Sequence, residues 1–273
     1  MVLAACGWAD AQNDVVIALN EVYLTYNSDN NVNALENINL NLHEGEFVCL
    51  LGSSGCGKST LLKIIAGFIT PTGGTALMEG QPIKGADWHR GVVFQQPPLY
   101  PWLTVEDNIK FGLKMRGVAA NESQKRTEEY LRKVGLLEFR NNKPYELSGG
   151  MKQRVAIARA LVNSPRVLLM DEPFGALDAL TREQMQTLIR NIWWETKCTI
   201  LFITHDVDEA LALGTRVVVM SRRPGKIIKE IKTDFTYSIT GENSNRTRYS
   251  TRFQMTREEI LDLINKQDLC YNI

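Results

Sequence analysis

The sequence predicts an α/β fold with a parallel sheet at its core, an antiparallel β region ahead of the core and a helical block inserted into it. Three observations support this prediction. An apolar run at residues 47–51 leads through a glycine-rich loop into a helix-forming run. Val167–Met170 and Thr199–Ile203 are continuous apolar runs, which are typical of strands buried on both faces of a parallel sheet. Between these features, residues 95–164 are mostly helical in pattern.

The region before the glycine-rich loop is predicted to be antiparallel β structure. Val15–Leu19 and Val22–Tyr26 are two β-rich runs. Ala34–Leu42 alternates apolar and polar side chains, so one face of that strand should be buried. We expect residues 1–14 to be a loose extension and residues 27–31 to be a polar turn.

The later elements follow from the same patterns. Thr75–Met78 and Gly91–Phe94 have the pattern of short strands, Thr181–Thr196 that of a helix, and Val217–Met220 and Lys226–Ile231 that of further strands. This predicts a main domain over residues 15–232, with the helical block inserted at about residues 96–164.

Residues 233–273 are predicted to be a tail. They are polar as far as about residue 252. Thr256 and Glu259 then have the spacing of a capping box ahead of an amphipathic run. We therefore expect one short helix there, packed on the core.

The glycine-rich loop carries the most specific motif in the chain. Residues 52–59 fit Gly-x4-Gly-Lys-Ser/Thr, in the strand–loop–helix setting that a phosphate loop requires. Its glycines allow backbone N–H groups to point inward, and the following helix directs its positive end at the same place. Lys58 would reach the β and γ phosphates, and the Ser59 hydroxyl is a hard oxygen ligand suited to Mg²⁺. The sequence therefore predicts a nucleoside triphosphate site.

Two carboxylates end the apolar strand at Val167–Met170. Asp171 is predicted to anchor Mg²⁺ beside the phosphate loop. Glu172 should point differently, where it can act as general base on the attacking water. This strand signal is weak alone and strong when paired with the phosphate loop.

A second predicted anion site lies at Ser148-Gly149-Gly150, immediately before a helix. Ser148 fits an N-cap, and the glycines permit close backbone approach. An ordinary capped helix is the alternative interpretation. Because one phosphate loop already holds a triphosphate, a second anion site suggests the nucleotide of a second subunit.

Composition and charge narrow the function. The 273 residues are 44% hydrophobic, with 31 basic and 31 acidic side chains, so no excess charge favours binding to nucleic acid or to an anionic membrane. No apolar run approaches the length of a membrane span, so a membrane role is expected to come through a partner.

The five scattered cysteines predict neither disulfides nor a zinc site, which favours a reducing cytosol. Alkylation of Cys56, inside the loop, is expected to block nucleotide binding.

The chain resembles the ATP-binding cassette (ABC) ATPase family over roughly residues 17–231. The phosphate loop, the signature Leu147–Met151 and the strand ending in Asp171 come in the family's order. Residues 175–178 resemble the D-loop. Met151 is one departure, because glutamine is commoner at that position; little loss of activity is expected.

The resemblance implies roles for individual residues. Gln95 resembles the Q-loop glutamine that contacts Mg²⁺, His205 the switch histidine that contacts the γ-phosphate, and Tyr26 the A-loop aromatic that stacks on adenine. Catalysis is thus expected from Glu172, His205 and Gln95, and metal binding from Ser59, Gln95 and Asp171. The expected ATP-binding residues are Tyr26, Gly52, Ser53, Ser54, Gly55, Cys56, Gly57, Lys58, Ser59, Thr60, Ser148, Gly149 and Gly150.

The resemblance also implies the partners. Two such domains pair head to tail, so that the phosphate loop of one copy faces Ser148, Gly149 and Gly150 of the other. A homodimer on the permease subunits of a membrane transporter, served by a solute-binding protein, is therefore expected, peripheral to the cytoplasmic face of the cell membrane. No nucleic acid partner is expected.

Within the family, the chain is most similar to the ATPase subunits of nitrate, sulfonate and taurine importers. This similarity lies in residues 91–95, 99–102, 107–108, 171–182 and 220–226. Pro97–Leu103 is expected either to receive a coupling helix of the permease or simply to pack the helical block. The competing functions are a soluble ABC ATPase of translation or DNA repair and the cassette of an exporter. A nucleotide-binding module without catalysis is disfavoured by Glu172 and His205.

Overall fold

A computed structural model of the chain describes residues 14–26, 32–239 and 244–270. The predicted extension, apart from its last residue, and the predicted turn at 27–31 lie outside these residues. The strands span Val15–Tyr26 (β1), Val32–His43 (β2), Phe47–Leu51 (β3), Gly73–Met78 (β4), Gln81–Pro82 (β5), Arg90–Val93 (β6), Val167–Asp171 (β7), Thr199–Thr204 (β8), Arg216–Met220 (β9) and Ile227–Lys232 (β10).

The helices alternate with these strands and also form the inserted block. They span Lys58–Ala66 (α1), Val105–Met115 (α2), Ala120–Lys133 (α3), Gly149–Leu161 (α4), Ala179–Thr196 (α5), Val207–Leu213 (α6), Phe235–Ser238 (α7), Ser244–Arg248 (α8) and Thr251–Cys270 (α9). Two 3-10 turns, Leu137–Phe139 and Pro144–Glu146, connect α3 to α4.

The core sheet has the strand order β10-β9-β3-β8-β7-β6. Strands β9, β3, β8, β7 and β6 run parallel to one another, and β10 pairs antiparallel with β9. The carboxyl ends of parallel strands meet at one edge of a sheet. The phosphate loop after β3, Asp171 at the end of β7, His205 after β8 and Gln95 after β6 therefore share one edge. The parallel core and the helical block between β6 and β7 are as predicted.

The second sheet is antiparallel, in the order β2-β1-β4-β5. The two β-rich runs predicted near its start form one strand, β1, whose pairing with β2 shifts register between Leu19 and Val22. Glu21, at this irregularity, has a positive φ of 47°. A register shift of this kind bends a strand without ending it, as a β-bulge does, and this explains the difference from the prediction.

Two apolar layers cover the core sheet, one on each face. In β3, Phe47, Cys49 and Leu51 pack into the layer shared with the helical block, whereas Val48 and Leu50 pack into the layer shared with the antiparallel sheet. All five side chains are fully buried. This two-sided burial explains why the strand is continuously apolar, and it fixes the position of the loop that follows.

The tail differs from its prediction. Helix α9 begins at Thr251, so Thr256 lies inside the helix, where its hydroxyl donates to the carbonyl oxygen of Arg252 at 2.9 Å. The predicted capping box is therefore wrong. Phe253 and Ile260 of α9 are buried in the core, so the predicted packing of this segment is observed. None of the helices within the described ranges is long and apolar enough to cross a membrane.

Gly67 ends α1 in a conformation that disfavours side chains. Its φ is +80°, and a Cβ there would lie 2.1 Å from the carbonyl oxygen of Gly85. We expect Gly67→Ala to lower the free energy of unfolding by about 2–4 kcal/mol, since it adds a backbone clash to the cost of the positive φ. Denaturant titration measures this loss.

Gly80→Ala is the matched control. Gly80 has a similar φ of +77°, but nothing lies within 4 Å of its Cβ position. Its substitution should cost only about 1 kcal/mol. Equal losses for the two variants would show that the contact with Gly85 does not constrain the end of α1.

Candidate functional site

The phosphate loop lies between β3 and α1, as the motif predicts. Gly57 precedes α1 with a φ of +106°, and a Cβ there would lie 2.7 Å from Leu35 Cδ2, so the loop closes tightly against β2. Lys58 is only 5% exposed. Its ammonium donates to the carbonyl oxygens of Gly52 at 2.8 Å and Ser53 at 3.0 Å. A buried cation is costly unless it is paired, and here the loop itself supplies the partners.

Ser59 and Asp171 meet across the site. The Ser59 hydroxyl donates to Asp171 Oδ1 at 2.8 Å. Burial raises the pKa of the Asp171 carboxyl, while the hydrogen bond from Ser59 and the nearby lysines 58 and 63 oppose that rise. The predicted Mg²⁺ ligands on β7 and α1 are therefore adjacent, and they form a partly desolvated oxygen pair.

Glu172 is turned away from its neighbour, as predicted. Its φ is +42°, a left-handed conformation that is uncommon for a residue with a side chain and is concentrated at functional sites. Glu172 Oε2 lies 3.3 Å from His205 Nδ1. A Cβ on Gly175 would lie 3.4 Å from Gln95 Nε2 and 3.9 Å from Glu172 Oε2. The three predicted catalytic side chains thus converge at one edge of the sheet, against the start of the D-loop segment.

The signature segment occupies a different position. Ser148 is the N-cap of α4, and its hydroxyl accepts the N–H of Met151 at 3.3 Å. Ser148 and Gly149 are exposed, whereas Gly150 is buried. A Cβ on Gly150 would lie 2.7 Å from Thr181 Cγ2, so it packs against α5 rather than against the phosphate loop.

The remaining predicted nucleotide ligands lie in or beside the loop. Ser54 and Gly55 are exposed at its tip, and Thr60 is half-buried in α1. The hydroxyl of Tyr26, a residue that is 41% exposed, lies 3.4 Å from that of Thr60. Cys56 is 1% exposed, because its side chain packs under the loop. Its alkylation therefore requires the loop to open, which the sequence did not indicate.

Two residues that the sequence analysis did not single out connect these segments. Gln153 of α4 is buried and donates through Nε2 to the carbonyl oxygen of Phe94 at 3.3 Å, linking the signature helix to the segment before Gln95. Arg182 of α5 donates to the carbonyl oxygen of Leu177 at 2.9 Å. The signal for Gln153 was available, because it is a polar side chain on the buried face of an amphipathic helix.

Asp171→Asn should stabilise the ligand-free chain at pH 7. Asparagine keeps an acceptor for Ser59 and removes a carboxylate whose burial raises its pKa. Between the ordinary pKa and the raised one, the unfolded chain releases the proton more readily, so the native protein loses stability as pH rises. The gain in Tm should therefore be largest above the raised pKa and should shrink towards pH 4 in thermal melts.

Asp178→Asn should have the opposite effect: it should lower the Tm at pH 7, and this loss should shrink as the pH falls. Asp178 caps α5, and hydrogen bonds from Thr181 lower the pKa of its carboxyl. A lowered pKa contributes stability above the ordinary value and loses it as pH falls. A pH-independent difference between either variant and the parent chain would contradict these assignments.

Comparison with known proteins extends these observations. A family model described as ABC transporter matches residues 35–175. The taurine import ATP-binding protein TauB of Pelagibacter ubique is 49% identical over 246 residues, which cover 90% of this chain and 92% of that protein. The nitrate import ATP-binding protein NrtD of a Synechocystis species is 52% identical over 217 residues, covering 78% of this chain and 80% of that protein.

Solved structures of cassettes have the same fold. The dimeric structure of MJ0796, a bacterial ABC transporter cassette, is 38% identical with a TM-score of 0.72, and the match covers 80% of this chain and 99% of that chain. A dimeric post-hydrolysis state of MJ0796 bound to ADP and Pi gives 37% identity and a TM-score of 0.71, with the same coverage. The family match, the relatives and the fold agree with the resemblance identified in the sequence. The chain therefore belongs to the ABC transporter family, as one of its ATP-hydrolysing cassettes.

Proposed function

We propose that the chain powers an ABC importer for a small anion such as taurine, another sulfonate or nitrate. It would act as a head-to-tail dimer of cassettes on a membrane permease. The observation that carries the ATPase part is the single sheet edge that brings together Ser59, Asp171, Glu172, His205 and Gln95. The names of the relatives support the importer part, because they are import subunits for taurine and nitrate.

The residues present fit a Mg²⁺ site beside the triphosphate. Among the described residues, no group of three or more His, Cys, Asp or Glu side chains could hold a metal. The Ser59–Asp171 pair instead supplies a few oxygen ligands, with Gln95 following β6 at the same edge of the sheet, and it leaves other positions to phosphate and water, the arrangement that Mg²⁺ prefers. When bound, Mg²⁺ would neutralise charge on the β and γ phosphates.

The protein's own groups account for the hydrolytic step. Lys58 would exchange its two carbonyl partners for phosphate oxygens, at no cost in unpaired charge. Glu172 would accept the proton of the attacking water, since its carboxylate faces the open edge rather than Ser59. His205, 3.3 Å from Glu172, would orient that carboxylate and contact the γ-phosphate.

The exposed signature segment supports the dimer. Ser148 and Gly149 sit at the positive end of α4, a 13-residue helix, where backbone N–H groups favour an anion. In this chain the segment packs against α5, so its exposed anion site is free to meet the nucleotide of a second copy. The similar cassettes of known structure are dimeric, which supports pairing of two copies.

The connection Pro97–Leu103 supports a permease contact. Trp102 is 70% exposed, although the backbone of the segment that carries it is fixed by hydrogen bonds to a buried side chain. The buried side chain of Asn108 accepts the N–H of Tyr100 at 2.8 Å and donates to the Tyr100 carbonyl oxygen at 3.1 Å. The Tyr100 ring also packs on the Phe111 ring, with 4.6 Å between the ring centroids. An exposed aromatic side chain on a rigid segment suits a protein contact. A solute-binding receptor and a position at the cytoplasmic face of the membrane complete the proposal.

Chromosomal replacement in the native organism tests this function. Cells that carry Glu172→Gln should lose uptake of labelled taurine, alkanesulfonate or nitrate, and the tagged chain should co-purify with a multi-span permease in mild detergent. Glu183→Gln, an exposed residue of α5, is the control and should retain uptake. Unchanged uptake of all three solutes, with recovery of ribosomes or DNA-bound complexes instead of a permease, would favour the soluble class of ABC ATPase.

A further inference from the structure

A chain of buried polar side chains runs from α5 to the end of β8. Gln186 is 6% exposed, Glu209 of α6 is 6% exposed, and Thr204 is 2% exposed. Gln186 Nε2 donates to Glu209 Oε1 at 3.0 Å, and the Thr204 hydroxyl donates to Glu209 Oε2 at 2.6 Å. These three residues therefore form a connected, water-excluded link between two helices and a strand end.

Both side-chain donors of this link, Thr204 and Gln186, donate to the Glu209 carboxylate. The Thr204 hydroxyl, which donates to Glu209, also accepts the N–H of Asp206 at 3.0 Å. Asp206 Oδ1 in turn accepts the N–H of Glu209 at 3.1 Å. Burial raises the pKa of the Glu209 carboxyl, and the donors Thr204 and Gln186 oppose that rise. A buried acid retained in this position is costly unless its acceptors are used, and both oxygens are used.

One end of the link fixes the segment that carries His205. This histidine lies between Thr204 and Asp206, and its side chain is 64% exposed. Packing therefore contributes little to holding the imidazole 3.3 Å from Glu172. Its position depends on the backbone on either side, which Glu209 holds through the Thr204 hydroxyl and through the cap that Asp206 forms on α6.

The other end of the link reaches the C-terminal tail. Arg248 Nη2 donates to Gln186 Oε1 at 3.2 Å, so the same amide joins the tail to Glu209. A second contact runs parallel to it, because Arg257 Nε of α9 donates to both carboxylate oxygens of Asp208 at 2.9 and 3.2 Å. Asp208 is the neighbour of Glu209 in α6. The tail is thus bonded to α6, the helix that begins immediately after the segment that carries His205.

We propose that Glu209 is a positioning residue for His205, and that the tail sets the rate of ATP hydrolysis through Arg248, Gln186 and Glu209. The inference rests on the role given to His205 in the proposed function. It adds a route by which the tail, which lies outside the motifs of the site, acts on them. Displacement of Arg248 would leave Gln186 free to rotate and would release one oxygen of Glu209.

Steady-state hydrolysis by the full chain tests the proposal. Gln186→Leu and Arg248→Met should each lower kcat about tenfold, equivalent to ~1.4 kcal/mol. The KM for ATP should not change, because a mispositioned His205 would lose its contribution in the transition state while the phosphate loop still binds the nucleotide. The ATP dissociation constant, measured by equilibrium binding, should not change. Arg248→Lys keeps a cationic donor and should restore most of kcat.

Arg252→Met is the matched control from the same tail. Its side chain pairs with Asp234 at 2.8 Å on the surface and has no part in the link, so kcat should stay within about twofold of the parent. Thermal melts distinguish positioning from unfolding, because Arg248→Met should lose kcat without a matching loss of Tm relative to Arg252→Met. Equal kcat for the parent, Arg248→Met and Gln186→Leu would overturn the proposal.

His205→Ala separates this inference from the proposed function. If His205→Ala abolishes turnover while the tail variants hydrolyse ATP normally, the role of the tail is wrong and the role of the histidine stands. If His205→Ala itself hydrolyses ATP normally, the role of His205 in the proposed function is wrong, and the inference falls with it.

Discussion

Glu172→Gln is expected to abolish ATP turnover while leaving ATP bound. The amide cannot accept a proton from the attacking water, and removal of a general base costs about 10²–10⁴-fold in rate. The phosphate loop, Lys58 and the Ser59–Asp171 pair remain intact, so affinity for ATP should be preserved. In the proposed head-to-tail dimer, ATP would join the two copies and its hydrolysis would separate them, so the variant should accumulate as an ATP-dependent dimer, detectable by light scattering after gel filtration.

The control for this variant is Glu183→Gln, which makes the same chemical change at an exposed position of α5. It should hydrolyse ATP at the parental rate and stay monomeric once ATP is consumed. Near-normal turnover in Glu172→Gln would show that another group accepts the proton. The 3.3 Å contact between Glu172 and His205 would then serve only to place the histidine.

Gly149→Asp is expected to separate stability from activity. Gly149 is the first residue of α4, and the nearest atom to its Cβ position is Leu177 Cδ2 at 4.0 Å, so a side chain fits. A carboxylate in the first turn interacts favourably with the helix dipole, by about 0.3–1 kcal/mol. The same charge would repel the γ-phosphate held by the opposite subunit. Turnover should fall by about 10²-fold or more, although the isolated chain should unfold no more easily and bind ATP normally.

Ala120→Asp is the matched control, since Ala120 is the exposed first residue of α3. It should give a similar gain in stability without loss of turnover. Denaturant titration, ATP binding to the monomer and ATP-dependent dimerisation measured on both variants complete the comparison. An active dimer of Gly149→Asp would place the signature segment away from the second nucleotide and would remove the support for the head-to-tail arrangement.

Much of the site could be predicted because its residues follow strands that can be recognised locally, as continuous apolar runs in the sequence. Asp171 and His205 each come after a continuous apolar run, and parallel pairing then brings the strand ends to one edge. The sequence did not show that Cys56 is turned under the loop, because its burial depends on residues far away in the chain.

The misplaced elements have a similar cause. A local pattern favoured a helix start at Thr256, but tertiary contacts of Phe253 extend the helix by more than a turn towards its N-terminus. The link through Gln186 and Glu209 joins residues 23 positions apart, and neither residue belongs to a motif. Such contacts are decided by the packing of α5 on α6, which amphipathic periodicity alone does not specify.

Because β10 runs antiparallel to β9, its two ends lie at opposite edges of the sheet, where each can be labelled separately. Ile227 pairs with Met220 at the nucleotide edge, and Lys232 pairs with Arg216 at the opposite edge. The chain thus leaves the sheet on the side remote from the phosphate loop before the tail returns to α6. A dye attached at the exposed Lys232 would sit where the tail departs, away from the bound nucleotide. Its fluorescence could follow movement of the tail during turnover in real time, without a probe in the catalytic cleft.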